Sequence, residues 1–187
     1  MDQAEVLLIG GRAGVGKTTV GWEVSARLRD AQVAHAVIDG DFMGAVHPAP
    51  TGDAHRAGVT ERNLVAVWGN YVALGYRRLV YTNTVSVLDE AAPMFRRAMG
   101  AGVRLVRVLL TATDETAEQR LAGRELGSEL EHETRSSARN ARLLEERAPV
   151  GVVRVVTDGR SVIDIASEVV AVTGWADMGV GGASATG

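Results

Sequence analysis

The sequence has no cysteine and only one lysine among its 20 basic residues. Without cysteine, the chain can form neither disulfides nor thiolate-bound zinc sites, and thiolate catalysis is excluded. Neither charge is in large excess, since the formal net charge is -3, so the composition does not indicate a nucleic-acid or membrane-surface partner. No hydrophobic run approaches the ~20 residues needed to span a bilayer. The four histidines are scattered without metal-ligand spacing: His35, His47, His55 and His132.

The length of 187 residues and the 46% hydrophobic content predict one globular domain with a core of ordinary size. No basic segment precedes the first apolar run, so we expect no signal peptide. We therefore expect a soluble, cytoplasmic monomer or homodimer. The composition predicts a folded domain over residues 1–175 and a flexible C-terminal tail over residues 176–187.

The single lysine lies in the segment "GGRAGVGKTT" at residues 10–19, directly after the apolar run "VLLIG". The spacing G-x-x-x-x-G-K-T is that of a Walker A phosphate-binding loop, or P-loop. A compact ammonium group fits between phosphate oxygens where a planar guanidinium would not. The segment therefore predicts binding of ATP or GTP. A protein with such a loop can transfer the phosphoryl group, hydrolyse the nucleotide, or act as a sensor of it.

Each part of this loop has an expected role. Backbone N–H groups and the helix N-terminus bind phosphate oxygens, Lys17 neutralises their charge, and the Thr18 hydroxyl coordinates Mg²⁺. The predicted nucleotide-binding residues are Gly11, Ala13, Gly14, Val15, Gly16, Lys17, Thr18 and Thr19.

Apolar runs and helical patterns alternate along the chain. Strands are predicted at residues 4–10, 33–39, 77–84, 103–112 and 150–158, and helices at residues 17–30, 60–75, 87–102, 113–125 and 161–175. Thr60 is the expected N-cap of the second helix. Pro93 either breaks the third helix or lies in its first turn. This alternation predicts an α/β protein with a parallel sheet covered on both faces.

An acidic pair follows the second predicted strand, in "VIDGDF" at residues 37–42. Ligands of open α/β sheets bind at the carboxyl ends of the strands, so Asp39 and Asp41 are expected beside the phosphate loop. One carboxylate can bind Mg²⁺ through water, while the other accepts a proton from an attacking hydroxyl.

Together, the phosphate loop and "VIDGDF" resemble the small-molecule kinases of the P-loop class, which include adenylylsulfate, gluconate and shikimate kinases and the chloramphenicol phosphotransferase type. The resemblance implies a three-layer P-loop NTPase fold with strand order 2-3-1-4-5 and a helical lid at about residues 120–147. It implies that Asp41 is the general base and that Asp39 is associated with Mg²⁺.

Further site residues are implied by the same resemblance. Arg120 and Arg124 are the expected lid arginines, one stacking on adenine and the other contacting the transferring phosphoryl group. Thr157 and Gly159 would border the adenine. Acceptor contacts are expected from Asp39, Asp41, Arg62 and Asn63 by the resemblance, and from Phe42, Thr82 and Asn83 by their positions after the second and third predicted strands. An equal alternative for Arg62 and Asn63 is that they lie on a solvated surface without a binding role. For Thr82 and Asn83 the equal alternative is that they only terminate the strand.

Some expected motifs are missing. The third predicted strand ends "VYTNT" without the Walker B acid, and neither N-K-x-D nor an ABC-type signature occurs, which weighs against GTPases and motors.

The sequence therefore predicts a Mg²⁺-dependent and ATP-dependent phosphotransferase acting on a small-molecule hydroxyl. The alternatives are a nucleoside, nucleotide or adenylylsulfate kinase, and an ATP-binding sensor that acts through a protein partner. Few basic residues in the segment 42–58 favour a largely neutral metabolite or antibiotic as acceptor.

Overall fold

The structure is a computed structural model that describes residues 3–123 and 128–176. The predicted site residue Arg124 and residues 177–187 of the predicted tail lie outside the described residues. The strands are β1 (Glu5–Gly10), β2 (Ala36–Asp39), β3 (Arg78–Thr82), β4 (Arg104–Thr111) and β5 (Val153–Val156). The helices are α1 (Lys17–Asp30), α2 (Ala57–Ala73), α3 (Ala92–Met99), α4 (Asp114–Ala122), α5 (Ser128–Arg147) and α6 (Val162–Thr173). Short 3₁₀ helices cover Gly40–Gly44 and Asp89–Ala91.

The five strands form one parallel sheet in the order β2-β3-β1-β4-β5. This confirms the predicted fold class and strand order. β1 lies at the centre, so the loop that follows it opens at the middle of the carboxyl edge of the sheet. The segments that follow β2 and β3 lie at the same edge.

Each face of the sheet has its own hydrophobic core, because successive side chains of a strand point to opposite faces. Val6 and Leu8 of β1 belong to the cluster that contains Leu64 and Trp68 of α2. The other cluster receives the intervening side chains of β1, together with side chains of α1 and α6: Leu7, Ile9, Val24, Leu28 and Val169. Helices thus cover both faces and give three layers.

The same alternation divides the end of β3 between the two faces. Tyr81 belongs to the core under α2 and α3, where its ring packs edge-to-face on Phe95 with centroids 5.0 Å apart. Thr82 is also buried, but a Cβ on Gly21 of α1 would lie 2.7 Å from its methyl group. Tyr81 therefore faces α3 and Thr82 faces α1.

Two helices differ from the sequence prediction at their starts. α2 begins at Ala57, so Thr60 lies inside it rather than at the N-cap. The cap comes from further upstream, because the Asp53 carboxylate accepts a hydrogen bond from the Val59 N–H at 3.1 Å. α3 is shorter than predicted, and Pro93 lies in its first turn. The charged segment before β5, which was expected to belong to a helical lid at about residues 120–147, forms the 20-residue helix α5.

Trp175, just after α6, ties the end of the described chain to its beginning. The indole is fully buried, and its Nε1–H donates a hydrogen bond of 3.0 Å to the Glu5 carboxylate. Glu5 also forms ion pairs with Arg78 and Arg104. Within the described ranges, none of the helices has the length and apolar character needed to cross a membrane.

Candidate active site

The loop between β1 and α1 provides a phosphate cradle. α1 begins at Lys17, and its N-cap, Gly16, has a φ of 91° that L side chains rarely adopt. Val15 is buried in the core and anchors the middle of the loop. The Lys17 Nζ donates a hydrogen bond of 3.2 Å to the carbonyl of Arg12. The positive end of α1 therefore lies at this loop, where it favours a bound anion.

Thr18 and Asp39 bring two hard oxygen ligands together beside this loop. The Thr18 hydroxyl donates a hydrogen bond of 3.0 Å to the Asp39 carboxylate. Adjacent ligands of an octahedral Mg²⁺ ion, with bonds of about 2.1 Å, lie about 3 Å apart. The two oxygens therefore fit Mg²⁺, which proteins usually bind with one or two side chains and substrate phosphates.

Asp41 follows Asp39 by two residues and also lies near the phosphate loop. Its carboxylate accepts a hydrogen bond of 2.7 Å from the Asn83 side-chain amide, and Asp39 accepts one from the Asp41 backbone N–H. Removal from water within the cleft raises the pKa of Asp41 above its ordinary value. The positive charge of Lys17 opposes this rise, the charge of Asp39 adds to it, and the Asn83 hydrogen bond opposes it.

A cavity of about 680 Å³ opens next to Asp41 and Asn83. This volume lies within the range of ~300–1,000 Å³ found for small-molecule sites. Tyr81 and Gly40, which are adjacent to each other, line the cavity together with Asp41. Apolar side chains from the segment before α3, from α3 and from α5 form part of its wall: Leu88, Ala91, Met94 and Leu143.

Three arginines also line the cavity, and each has a protein partner. Arg97 donates two hydrogen bonds, of 2.6 and 2.7 Å, to the two carboxylate oxygens of Glu61. Arg147 pairs with Glu90. The Nε of Arg56 donates to a backbone carbonyl at 2.9 Å. Two of the three positive charges are therefore balanced by carboxylates within the same cavity.

Arg120 of α4 lies on the other side of the phosphate loop. Its guanidinium donates to the Thr157 hydroxyl at 3.0 Å and to the Thr157 carbonyl at 3.1 Å. α4 also contacts the loop directly, because a Cβ on Gly14 would lie 2.5 Å from the Ala117 carbonyl oxygen. Arg120, Thr157 and Gly14 thus lie together, with Gly159 in the turn that follows.

Asp158 fixes the same turn against the start of α4. Its carboxylate accepts hydrogen bonds from the backbone N–H and the hydroxyl of Thr113, at 3.0 and 2.8 Å. Hydrogen bonds from Thr116 and Thr113 lower the pKa of Asp158 to about 2.

Arg12 connects the phosphate loop to α5. This arginine is buried, and its Nε donates a hydrogen bond of 2.7 Å to the Ser137 hydroxyl, which donates in turn to the Ala13 carbonyl at 2.8 Å. Its guanidinium also pairs with Asp114 at the start of α4. One residue of the loop therefore contacts both helices that follow β4.

Several predicted acceptor contacts lie away from the cavity. Phe42 is 73% exposed and is not part of its lining. Arg62 lines a separate depression on α2. Asn63 donates a hydrogen bond of 2.8 Å to the Met43 carbonyl and so holds the 3₁₀ helix in place. Thr82 faces α1, as described above.

Sequence reasoning missed Tyr81, the Arg97–Glu61 pair and the Arg12–Ser137 contact. The strand pattern could have indicated the position of Tyr81, because the side chains of Leu79 and Tyr81 point to one face of the sheet and those of Val80 and Thr82 to the other. The two contacts join residues 36 and 125 positions apart, and no local pattern marks such pairs.

Comparison with known proteins places the fold. None of the protein-family models matches the chain, and no match was found among curated proteins. Solved structures do match. An APS kinase of Mycobacterium tuberculosis, in complex with AMPPNP and APS, is 20% identical with a TM-score of 0.58, over 92% of this chain and 99% of that one. A gluconokinase of Sinorhizobium meliloti is 16% identical with a TM-score of 0.57, over 95% and 97%.

A tunicamycin resistance protein of Deinococcus radiodurans is 17% identical with a TM-score of 0.60, over 92% of this chain and 96% of that one. At these identities the likeness establishes the fold, which is that of the P-loop small-molecule kinases.

Proposed function

We propose that this protein transfers the γ-phosphoryl group of ATP to a hydroxyl group of a small molecule. The observation that carries the proposal is the position of Asp41. Asp41 lines the 680 Å³ cavity, its carboxylate is hydrogen-bonded to Asn83, and it lies near enough to Lys17 of the phosphate loop for that charge to influence its pKa. A general base needs this position, within reach of both the acceptor hydroxyl and the transferring group. The solved structures of similar fold, an APS kinase and a gluconokinase among them, support a kinase activity.

In the proposed reaction, Asp41 accepts the proton of the acceptor hydroxyl as the hydroxyl oxygen bonds to the γ-phosphorus. The bond from that phosphorus to the β–γ bridging oxygen breaks, and ADP leaves. Lys17 and the backbone N–H groups of the loop hold the phosphates and balance their charge. Mg²⁺, when bound by Thr18 and Asp39, neutralises charge on the phosphate oxygens. The raised pKa of Asp41 makes it a stronger base for this step.

The charges of the cavity favour an acceptor that is neutral overall. Glu61 and Glu90 already balance Arg97 and Arg147. Among the described arginines of the lining, only Arg56 has no carboxylate partner, so the cavity offers little uncompensated positive charge to an anionic acceptor. The apolar wall formed by residues such as Met94 and Leu143 suits the carbon skeleton of the acceptor. We therefore propose a hydroxylated metabolite or antibiotic with an apolar part.

The test is ATP consumption by the wild type and by Asp41→Asn, with a panel of neutral hydroxylated compounds, nucleosides, nucleotides and anionic hydroxy acids. We expect one class to stimulate the wild type. In Asp41→Asn, we expect acceptor-dependent turnover to fall by roughly 10²–10⁴-fold, the usual contribution of a general base, with ATP affinity retained. Asp30→Asn, an exposed substitution at the end of α1, serves as the matched control.

Full acceptor-dependent turnover in Asp41→Asn would exclude Asp41 as the base. ATP binding without stimulation by any class would instead favour the sensor alternative, and stimulation by nucleotides alone would favour a nucleotide kinase.

A further inference from the structure

The hydroxyl group of Tyr81 lies at the cavity without a hydrogen-bond partner among the described residues. The residue is only 1% exposed, and its ring is fixed edge-to-face against Phe95. It nevertheless belongs to the lining of the cavity beside Asp41 and Asn83. A buried tyrosine hydroxyl normally finds a partner within the protein. This one is positioned to meet a partner that enters the cavity.

Gly40 makes room for this hydroxyl beside the segment that carries the two carboxylates. A Cβ at Gly40 would lie 2.3 Å from the Tyr81 oxygen, so any other residue there would force the ring to move. Gly40 separates Asp39 from Asp41, and the Tyr81 hydroxyl therefore lies close to the proposed site of proton transfer. Burial, together with the negative charges of Asp41 and Asp39, raises the pKa of Tyr81. The phenol consequently keeps its proton and can donate it in a hydrogen bond.

We propose that Tyr81 positions the acceptor, by donating a hydrogen bond to the oxygen whose proton Asp41 receives. This inference rests on the proposed function and narrows it. An oxygen held in this way must accept one hydrogen bond from Tyr81 and donate another to Asp41, as an alcohol does. A phosphate or carboxylate oxygen has no proton to give and would be repelled by Asp41. The pair therefore selects an alcohol over the phosphate group of a nucleoside monophosphate.

The test variant is Tyr81→Phe, which removes the hydroxyl and keeps the ring that packs on Phe95. We expect kcat/KM for the acceptor to fall roughly 2–12-fold, the worth of one neutral hydrogen bond. We expect the ATP affinity and the melting temperature to stay at the wild-type values. Tyr76→Phe is the matched control, because Tyr76 packs edge-to-face on another ring, that of Tyr71, away from the cavity.

Basal ATP hydrolysis provides a second readout that needs no identified acceptor, because water then takes the place of the alcohol. Tyr81→Phe should lower this basal rate, and Tyr76→Phe should not. The proposal would be overturned if Tyr81→Phe matched the wild type both in kcat/KM for the acceptor and in the basal rate of ATP hydrolysis. A parallel loss of ATP affinity and melting temperature would also overturn it, since the role would then be structural. If the wild type showed no ATP turnover, either with water or with any acceptor, the proposed function itself would be excluded, and this inference would fall with it.

Discussion

Burial, the charges of Lys17 and Asp39, and the hydrogen bond from Asn83 together set the pH range in which Asp41 carries its charge. The amide donates its hydrogen bond to the carboxylate, which favours the charged form and lowers the pKa. Burial raises the pKa by more, so the net change is upward. The proposed base therefore loses its charge at a higher pH than a fully solvated aspartate would.

This balance predicts the effect of Asn83→Ala on the pH dependence of turnover. Removal of the amide should raise the pKa of Asp41 further, because the hydrogen bond that opposes the effect of burial is then lost. The acid limb of the kcat/KM profile for the acceptor, where turnover falls as Asp41 gains a proton, should therefore move to higher pH.

The measurement is a pH–rate profile of the wild type and Asn83→Ala, with Asn63→Ala as control, because Asn63 binds only the backbone of the 3₁₀ helix. An acid limb that stays in place, or that moves to lower pH, would show that this hydrogen bond does not tune the base.

At the scale of elements, the phosphate loop is braced from two sides. α4 packs on Gly14 through the Ala117 carbonyl, and α5 reaches the loop through Ser137. The fully buried Ser137 hydroxyl accepts from Arg12 and donates to Ala13, so both of its hydrogen bonds are with the loop. The conformation of the loop therefore depends on the position of α5.

We predict that Ser137→Ala destabilises the protein by about 1–3 kcal/mol, because it leaves buried polar atoms of Arg12 and Ala13 without this partner. The midpoint of urea denaturation is the measurement. Ser136→Ala, on the neighbouring and less buried position of α5, should have an effect within about 0.5 kcal/mol. Equal midpoints for the two variants would contradict the bracing role of Ser137.

The elements that the sequence predicted are those whose signals are local. Strand β1, the glycine-rich loop and α1 follow one another within 30 residues, and α1 begins and ends where its pattern predicted. The start of α2 was missed because its first turn is capped by Asp53, whose carboxylate accepts a hydrogen bond from the N–H of Val59, six residues further along the chain. The cavity was only partly foreseen, since Arg97 and Glu61 come from different helices and meet only in the folded chain.

For the whole molecule, the sheet gathers the candidate site from separated stretches of sequence. The loop after β1, the acidic pair after β2 and Asn83 after β3 meet at one edge because all the strands are parallel. Far along the chain, Trp175 packs into the core and bonds to Glu5 at the start of β1. The stability of the central strand thus depends on a residue 170 positions away.

We predict that Trp175→Ala lowers the free energy of unfolding by about 3–5 kcal/mol, the usual cost of removing a buried tryptophan side chain. Trp22, which is 60% exposed on α1, is the matched control, and Trp22→Ala should change the free energy by no more than about 0.5 kcal/mol. Thermal denaturation followed by circular dichroism measures both. A small effect at Trp175 would mean that the core closes without it.

The phosphate loop contains the only lysine side chain of the chain, which has a practical consequence for chemical labelling. An amine-directed acylating reagent has one side-chain target in this sequence, and it is the group expected to bind the nucleotide phosphates. The mass of the labelled tryptic peptide would therefore report occupancy of the loop directly, without a spectroscopic probe or a radioactive substrate.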